Sequence, residues 1–334
     1  MLTVGLTYDL KTDYVFKEDD PPDANAEFDH PSTIDVICNA IKSLGYQTKR
    51  IGNINNLLEK IDNLGVDIVF NISEGLTGRN RESQVPIVLE ARNIPFVGSD
   101  GLTLGMTLDK IMAKKIMLAE KIPTPKFFEA RNSENFEKDS LKYPLIVKPR
   151  FEGSSKGLSE KSRVESDAQL KEQIDFVVRT YKQPALIEEF IAGSEYTVAL
   201  IGNGEEVEVF PPVQIKIDGR LKLGDKFYTF NRIFSDRLEY VCPAKIPASL
   251  RDELMDLARR TFLAVECRDF GRVDFRIDDK ARPYVLEINP LPSLSTEDVF
   301  MTIAKRLGLT YNHMIDKIIK SALKRYNLSS PDRQ

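Results

Sequence analysis

The sequence predicts an α/β chain of two or three domains, with a parallel sheet near the N-terminus and an α+β half toward the C-terminus. Three observations carry that expectation. The chain has 334 residues, too many for one ordinary hydrophobic core. Residues 2–71 run strand, helix, strand, helix, strand, an order that implies a parallel sheet with right-handed crossovers. Residues 271–290 hold two short segments with the period-2 alternation of strands whose two faces differ.

The first strand reads LTVGLT over residues 2–7. Residues 9–31 are polar, acidic and proline-containing, with Lys17-Glu18-Asp19-Asp20-Pro21-Pro22 at their centre, and bury too little apolar surface for a core element. After a first strand in an open α/β sheet, such a loop lies by the ligand crevice and is expected to be mobile or functional. Ser32 or Thr33 is a candidate cap for a helix through Ile34, Ile37, Ala40, Ile41 and Leu44, ended by Gly45. A strand over 47–51, a helix over 54–64 and a buried-type strand over 66–71 follow. The polar loop Asn71–Gln84 carries Glu74, Arg79, Arg81 and Glu82. Such charges are commonly just solvated; their place at a strand C-terminus is the argument for substrate contact. A helix over 85–91 and a strand over 94–99 close a first domain near residue 103.

A helix is predicted over 103–121, stopping at Ile122-Pro123-Thr124-Pro125. The strand YPLIVKP, residues 143–149, carries Lys148 and leads into Arg150-Phe151-Glu152-Gly153-Ser154-Ser155-Lys156-Gly157. Small residues between two glycines let backbone N–H groups approach phosphate oxygens, although most glycine-serine loops are only turns. A helix over 169–181, a strand over 185–191 and two strands joined by Asn203-Gly204 come next. Residues 216–240 lack periodicity and read as a mobile loop; a long helix starts near Ser249, and the tail is helical from Asp298 to about Tyr326.

Composition excludes several classes. A net charge of −4 gives no electrostatic case for nucleic acid or an anionic membrane. No apolar run approaches the roughly 20 residues of a spanning helix, and the N-terminus lacks a signal-peptide pattern. Cys38, Cys242 and Cys267 form no CxxC pair, which suits a reducing cytoplasm. His30 and His313 stand alone, so a histidine metal site or triad is not expected.

The most informative stretch is the pair of alternating segments Gly271–Arg276 and Pro283–Pro290, joined by turn material at Asp278-Asp279-Lys280. Pairing them as a hairpin brings Asp274, Glu287 and Asn289 together beside Arg272. Hard oxygen ligands that leave room for phosphate suit Mg²⁺. A solvated strand face with a surface ion pair is the plainer alternative; two such strands ending in Asn-Pro favour the metal.

The landmarks Ile94–Ser99, Leu108-Asp109-Lys110, Val147-Lys148-Pro149, Glu152–Gly157, Ile187–Ile191, Gly271–Asp274 and Glu287–Pro292 occur in one order, and together they resemble the ATP-grasp enzymes. Within these, the chain is similar to the D-alanine–D-alanine ligase family from about Val66 to Ile319. The resemblance implies an ATP-grasp fold behind an N-terminal parallel α/β domain. It implies ATP held by Lys110 and Lys148, under a lid of Gly153, Ser154, Ser155 and Gly157. Glu188, Glu189, Phe190 and Ile191 would present backbone groups to adenine, with Glu188 or Glu195 for the ribose. Asp274, Glu287 and Asn289 would hold two Mg²⁺ ions, with Mn²⁺ as a substitute. Arg272, Ser154 and Ser155 would be catalytic. The implied reaction joins a small carboxylate to an amine, as amino acids or similar compounds, through an acyl phosphate. The expected organisation is a substrate domain over 1–103, an ATP-binding subdomain with the lid over 104–190, a catalytic domain over 191–326 and a disordered tail over 327–334. A cytoplasmic homodimer is also expected.

The substrate loops depart from the family. The glutamate loop after the first strand, which holds the first substrate's ammonium, is replaced by Leu6–Leu10, leaving Asp9 as a candidate substitute. The acidic Gly-Glu-Asp-Gly loop becomes Gly78–Glu82, so that Arg79 or Arg81 is expected to accept an additional carboxylate. A lysine-tyrosine pair falls at Arg232-Ile233, and Ser293 and Asp298 replace the late glycine and serine that serve the second substrate. Alternatives are D-alanyl-D-alanine synthesis proper, a depsipeptide ligase, and a nucleotide-binding protein that has lost catalysis. Retention of Lys110, Lys148, Arg272, Asp274, Glu287 and Asn289 argues against the last.

Overall fold

Three sheets organise the chain in the computed structural model, which describes residues 1–134, 136, 141–227, 229 and 237–330. The first contains β1 (Thr3–Thr7), β2 (Gln47–Gly52), β3 (Ile68–Asn71) and β4 (Phe96–Val97), all parallel, in the order β2-β1-β3-β4. Helices α1 (Pro31–Ser43), α2 (Ile54–Lys60) and α3 (Gln84–Ala91) make the crossovers. Pro31 occupies the first turn of α1, where its missing N–H leaves no orphan, and His30 precedes it. Ser32 and Thr33 therefore lie inside the helix rather than capping it.

The segment expected as one helix over 103–121 is two, α4 (Gly101–Leu108) and α5 (Lys110–Ala119), broken at Asp109. Asp109 is extended, caps α5 through the N–H of Met112 at 3.2 Å, and accepts from Arg150 Nε at 2.6 Å. That break sets Lys110 at the head of α5. The second sheet has the order β5-β8-β6-β7, from β5 (Phe127–Ala130), β6 (Leu145–Pro149), β7 (Arg163–Val164) and β8 (Ala185–Glu189), and is covered by α6 (Asp167–Tyr181). Its apolar core is its own, centred on Leu145, Val147, Leu170, Ile174 and Ile187.

The third sheet runs β12-β11-β9-β13-β14, with β10 on β9. Its strands are β9 (Ser194–Gly202), β10 (Glu208–Val209), β11 (Val213–Ile217), β12 (Leu238–Val241), β13 (Asp269–Ile277) and β14 (Pro283–Asn289). The last part of β11 and all but the end of β12 fall in the stretch expected to be a loop; both strands are short, β12 is a half-buried edge, and charge dilutes their alternation. The Arg232-Ile233 position lies outside the described residues. Helix α7 (Ala248–Ala264) covers one face, and the C-terminal helical tail divides into α8 (Val299–Arg306) and α9 (Tyr311–Arg325). One continuous core joins the first sheet to the third: Val4, Leu6 and Phe70 cluster with Phe270, Phe300, Ile315 and Ile318. Among the described residues no helix is long and apolar enough to cross a membrane.

Candidate active site

A cavity of about 510 Å³ opens where the three sheets meet. Its floor is the β13–β14 hairpin. Antiparallel register places Asp274 opposite Glu287 and Arg272 opposite Asn289, as the alternation implied. Asp274 accepts from Arg272 Nε and Nη2, both at 3.0 Å, from Thr197 Oγ1 at 2.6 Å and from Asn289 Nδ2 at 2.9 Å. With its amide nitrogen so used, Asn289 has its carbonyl oxygen left as a ligand. Lys110 Nζ sits 2.6 Å from Glu287 Oε2. Burial opposes ionisation of Glu287, yet Lys110, Lys148 and Arg272 hold its carboxyl down to about 2. Two carboxylates and an amide oxygen lining one cavity fit a hard divalent cation that would complete its shell with phosphate and water.

The cavity roof comes from the second sheet. Glu188, Glu189, Phe190 and Ile191 line it, joined by Glu195 from the start of β9 in the third sheet. The Glu188 carboxylate has another task than ribose binding: it lies buried between Lys148 and Lys114, ion-paired to both. Lys114, fully buried, also donates to Thr124 Oγ1 at 2.6 Å, and burial pulls its pKa down to about 8. This lysine was not singled out from the sequence, although a glutamate inside the apolar strand ALIEE demands a buried cation. Glu195 Oε1 pairs with Arg276 at 2.9 Å, and Arg276 lies over the Phe190 ring.

The glycine loop bends over the opening, with Ser154 and Ser155 both in the left-handed region at φ 47° and 58°. Ser154, Ser155 and Gly153 line the cavity. The polar segment 9–31 turns out to hold this loop. Glu27 Oε1 accepts the Gly153 N–H at 2.5 Å and Asp23 Oδ2 accepts the Gly157 N–H at 2.8 Å. Both oxygens of Asp23 also accept from Tyr181 Oη at 2.9 Å. Gly157 is thus turned to Asp23 rather than to the cavity, and a Cβ on it would sit 2.5 Å from Pro149 Cγ. Arg81 bonds both Glu27 oxygens, at 2.9 and 3.0 Å, and Glu152 at 3.3 Å. Lys156 adds a contact to Glu27 at 3.3 Å. Burial works against it, but Arg81 and Lys156 keep Glu27 ionised below the usual carboxylate range.

At the first-sheet end the outcome differs from the sequence expectations. Asp9 is buried away from the cavity, accepting from Ser73 Oγ at 2.6 Å and the Gly75 N–H at 2.9 Å. Arg81 is consumed by Glu27 and Glu152, while exposed Arg79 leans on the Phe151 ring and reaches Asp109 at 3.4 Å. Neither arginine lines the main cavity; Glu74, Ser293 and Asp298 do, together with Glu82. Asp298 caps α8 through the Val299 N–H at 2.5 Å and stands 3.6 Å from Arg272 Nη1. Burial pushes both Glu74 and Glu82 above the usual carboxylate range, with repulsion from Glu82 adding at Glu74 and repulsion from Glu27 adding at Glu82, which reaches about 8.

Comparison with known proteins gives a consistent picture. Residues 117–320 match the family model described as D-ala D-ala ligase C-terminus. A Sinorhizobium fredii protein, y4sG, is 39% identical over 78% of this chain and 75% of its own length. The D-alanine–D-alanine ligase of Carboxydothermus hydrogenoformans is 34% identical over 87% of this chain and 92% of its own. Among solved structures, the Bacillus anthracis D-alanine–D-alanine ligase complexed with ATP superposes with a TM-score of 0.75. That match covers 98% of this chain and 99% of the other, at 23% identity, and is a likeness of fold.

Proposed function

Because the chain belongs to the D-alanine–D-alanine ligase family, and is an ATP-dependent ligase that forms amide bonds on an ATP-grasp fold, we propose a division of labour for its residues and substrates. Residues 1–103 receive the first substrate, 104–190 close on ATP, and 191–326 hold the metal and perform the transfer. Lys110 and Lys148 bind phosphate oxygens, Glu189–Ile191 present backbone groups to adenine, and Glu195 serves the ribose. Asp274, Glu287 and Asn289 would hold Mg²⁺, or Mn²⁺ in its place, and the ion would neutralise phosphate charge as it is transferred. The single observation that carries this reading is the Asp274–Glu287 pair, facing one cavity with both lysines and the lid.

The chemistry follows from that arrangement. The γ-phosphate passes to a carboxylate oxygen of the first substrate, making an acyl phosphate and ADP. The amine of the second substrate attacks the acyl carbon to form the C–N bond, the C–O bond to phosphate breaks with its electron pair going to the phosphate oxygen, and the nitrogen gives its proton to the departing phosphate or to water. Arg272 stabilises the transferring phosphate and the tetrahedral oxyanion, while Ser154 and Ser155 offer donors from the lid. Catalysis is mostly positioning and charge neutralisation. Mg-dependent ADP release with a panel of amino acids, followed by product mass, tests the reading. A chain that releases no ADP with any acid–amine pair is not such a ligase.

Two expectations concern the walls. Asp23→Ala removes the acceptor of the Gly157 N–H and of Tyr181, so the lid loses its outer anchor. KM for ATP should rise on the order of tenfold, with kcat changed much less. Asp23→Asn keeps one acceptor and should lie between; equal KM in wild type and Asp23→Ala would end the anchor role. Asp298 faces the second substrate with a carboxylate, which repels another carboxylate and attracts an amine. Asp298→Ser should therefore improve kcat/KM for acceptors that carry a carboxylate, relative to simple amines, by roughly tenfold. An unchanged ratio would show that Asp298 does not select.

A further inference from the structure

Resting on the ligase reading, we propose that Lys114 is a positioning residue for ATP: it takes up the charge of Glu188, so that the ammonium of Lys148 stays available to phosphate oxygens. Lys114 stands one turn after Lys110 on α5, Lys148 lies on β6, and Glu188 comes from the neighbouring strand β8. Lys148 and Glu188 line the cavity, whereas Lys114 does not. Lys114 and Glu188 are each 1% exposed. The carboxylate is divided between the two lysines, Oε1 to Lys114 and Oε2 to Lys148. Lys114 is also held from behind. Its ammonium donates to Thr124 Oγ1 at 2.6 Å, whose own hydrogen goes to the Val285 carbonyl at 2.9 Å, and it lies 5.8 Å from the centre of the Phe127 ring. A carboxylate, a hydroxyl and a ring face thus surround its N–H donors, and it acts on a nucleotide only through Glu188.

Glu188 with Lys148 alone is a neutral pair, which attracts a triphosphate weakly. Adding Lys114 leaves the trio with one net positive charge, and Lys148 is the cation that reaches the cavity. When phosphate oxygens arrive, Lys148 turns donors to them while Glu188 keeps a cation beside it, so no buried carboxylate is orphaned. Burial draws the pKa of Lys114 down only to about 8, so at pH 7 it is mostly protonated. Burial opposes ionisation of Glu188, but Lys114 and Lys148 hold it below the usual carboxylate range. A purely structural site has a cheaper solution: apolar side chains at 114 and 188 fill the same space without three desolvated charges.

The test follows Mg-ATP binding to the full-length chain by calorimetry at pH 7, and ADP release with the panel of acid–amine pairs. Lys114→Gln keeps a donor for Glu188 and Thr124 but removes the charge. It should weaken ATP binding roughly 10- to 100-fold and raise KM for ATP in parallel, while kcat at saturating ATP falls less than about threefold. Adding Glu188→Gln returns the net charge to Lys148 and should bring ATP affinity back to within about fivefold of wild type. A packing role alone predicts the opposite: Lys114→Gln would be tolerated and the second change would rescue nothing. Thermal midpoints show whether the variants fold. If the single variant does not, the double variant, whose two amides pair without charge, decides: binding more than about tenfold weaker than wild type overturns the role. So does ATP affinity within about twofold of wild type in folded Lys114→Gln, or a double variant that binds no more tightly than the single. Both outcomes are read from binding alone. A wild-type chain that binds Mg-ATP but releases no ADP under any pairing sinks the ligase reading instead.

Discussion

Arg272→Lys should lower kcat on the order of 10²–10³, with a smaller change in KM for ATP. The guanidinium holds Asp274 through two nitrogens, each at 3.0 Å, and keeps a third nitrogen 3.6 Å from Asp298. It therefore bridges the carboxylate assigned to the metal and the one assigned to the second substrate. Burial opposes its charge, but Asp274 and Asp298 hold it firmly protonated. A lysine ammonium is a point charge on a flexible stem and cannot keep the two-point grip on Asp274 while also facing the transferring phosphate. Single-turnover measurement of acyl-phosphate formation separates this from a binding defect. A kcat reduced less than threefold, with ATP affinity lost instead, would make Arg272 a positioning residue for Asp274 only.

The hairpin was legible because a strand writes its faces into the sequence at period two, and the turn at Asp278–Lys280 fixed which residues meet. The lid was legible for a similar reason: glycines and small hydroxyl residues between a strand and a helix leave a local mark. What holds the lid was not. Asp23 and Glu27 lie more than a hundred positions from Gly157 and Gly153, in a segment with no periodicity, and nothing local pairs them. Asp9 was the natural guess because it follows β1 directly, yet its nearness to the strand is what draws it under Ser73 and Gly75. Arg79 and Arg81 looked like exchanged charge at a substrate loop. In three dimensions Arg81 neutralises the very carboxylate that reaches the lid, so the loop's available charge is still negative. A composition of charges reads the sum; only packing tells which are cancelled.

Asp269→Ala should cost on the order of 3–5 kcal/mol in stability, because it removes the centre of a wholly buried carboxylate network. Asp269 begins β13 in the left-handed region at φ 64° and is wholly buried. Its carboxylate accepts the Gly98 N–H at 2.9 Å, Asn203 Nδ2 at 2.8 Å, Ser321 Oγ at 3.1 Å and Arg325 Nη2 at 2.7 Å. Those partners come from the end of the first sheet, the turn after β9 and the last helix, so one side chain ties the first sheet to the third. The alanine takes the carboxylate from half-buried Arg325, which keeps only the Phe96 and Gly98 carbonyls as acceptors, and that lost ion pair supplies much of the penalty. Arg325→Met alone strands Asp269 in turn, whereas the double variant removes both charges. Denaturation of the four proteins should therefore give a double variant less destabilised than the sum of the singles by about 1–3 kcal/mol. Strict additivity would mean that the carboxylate acts through Gly98 and Asn203 and not through Arg325.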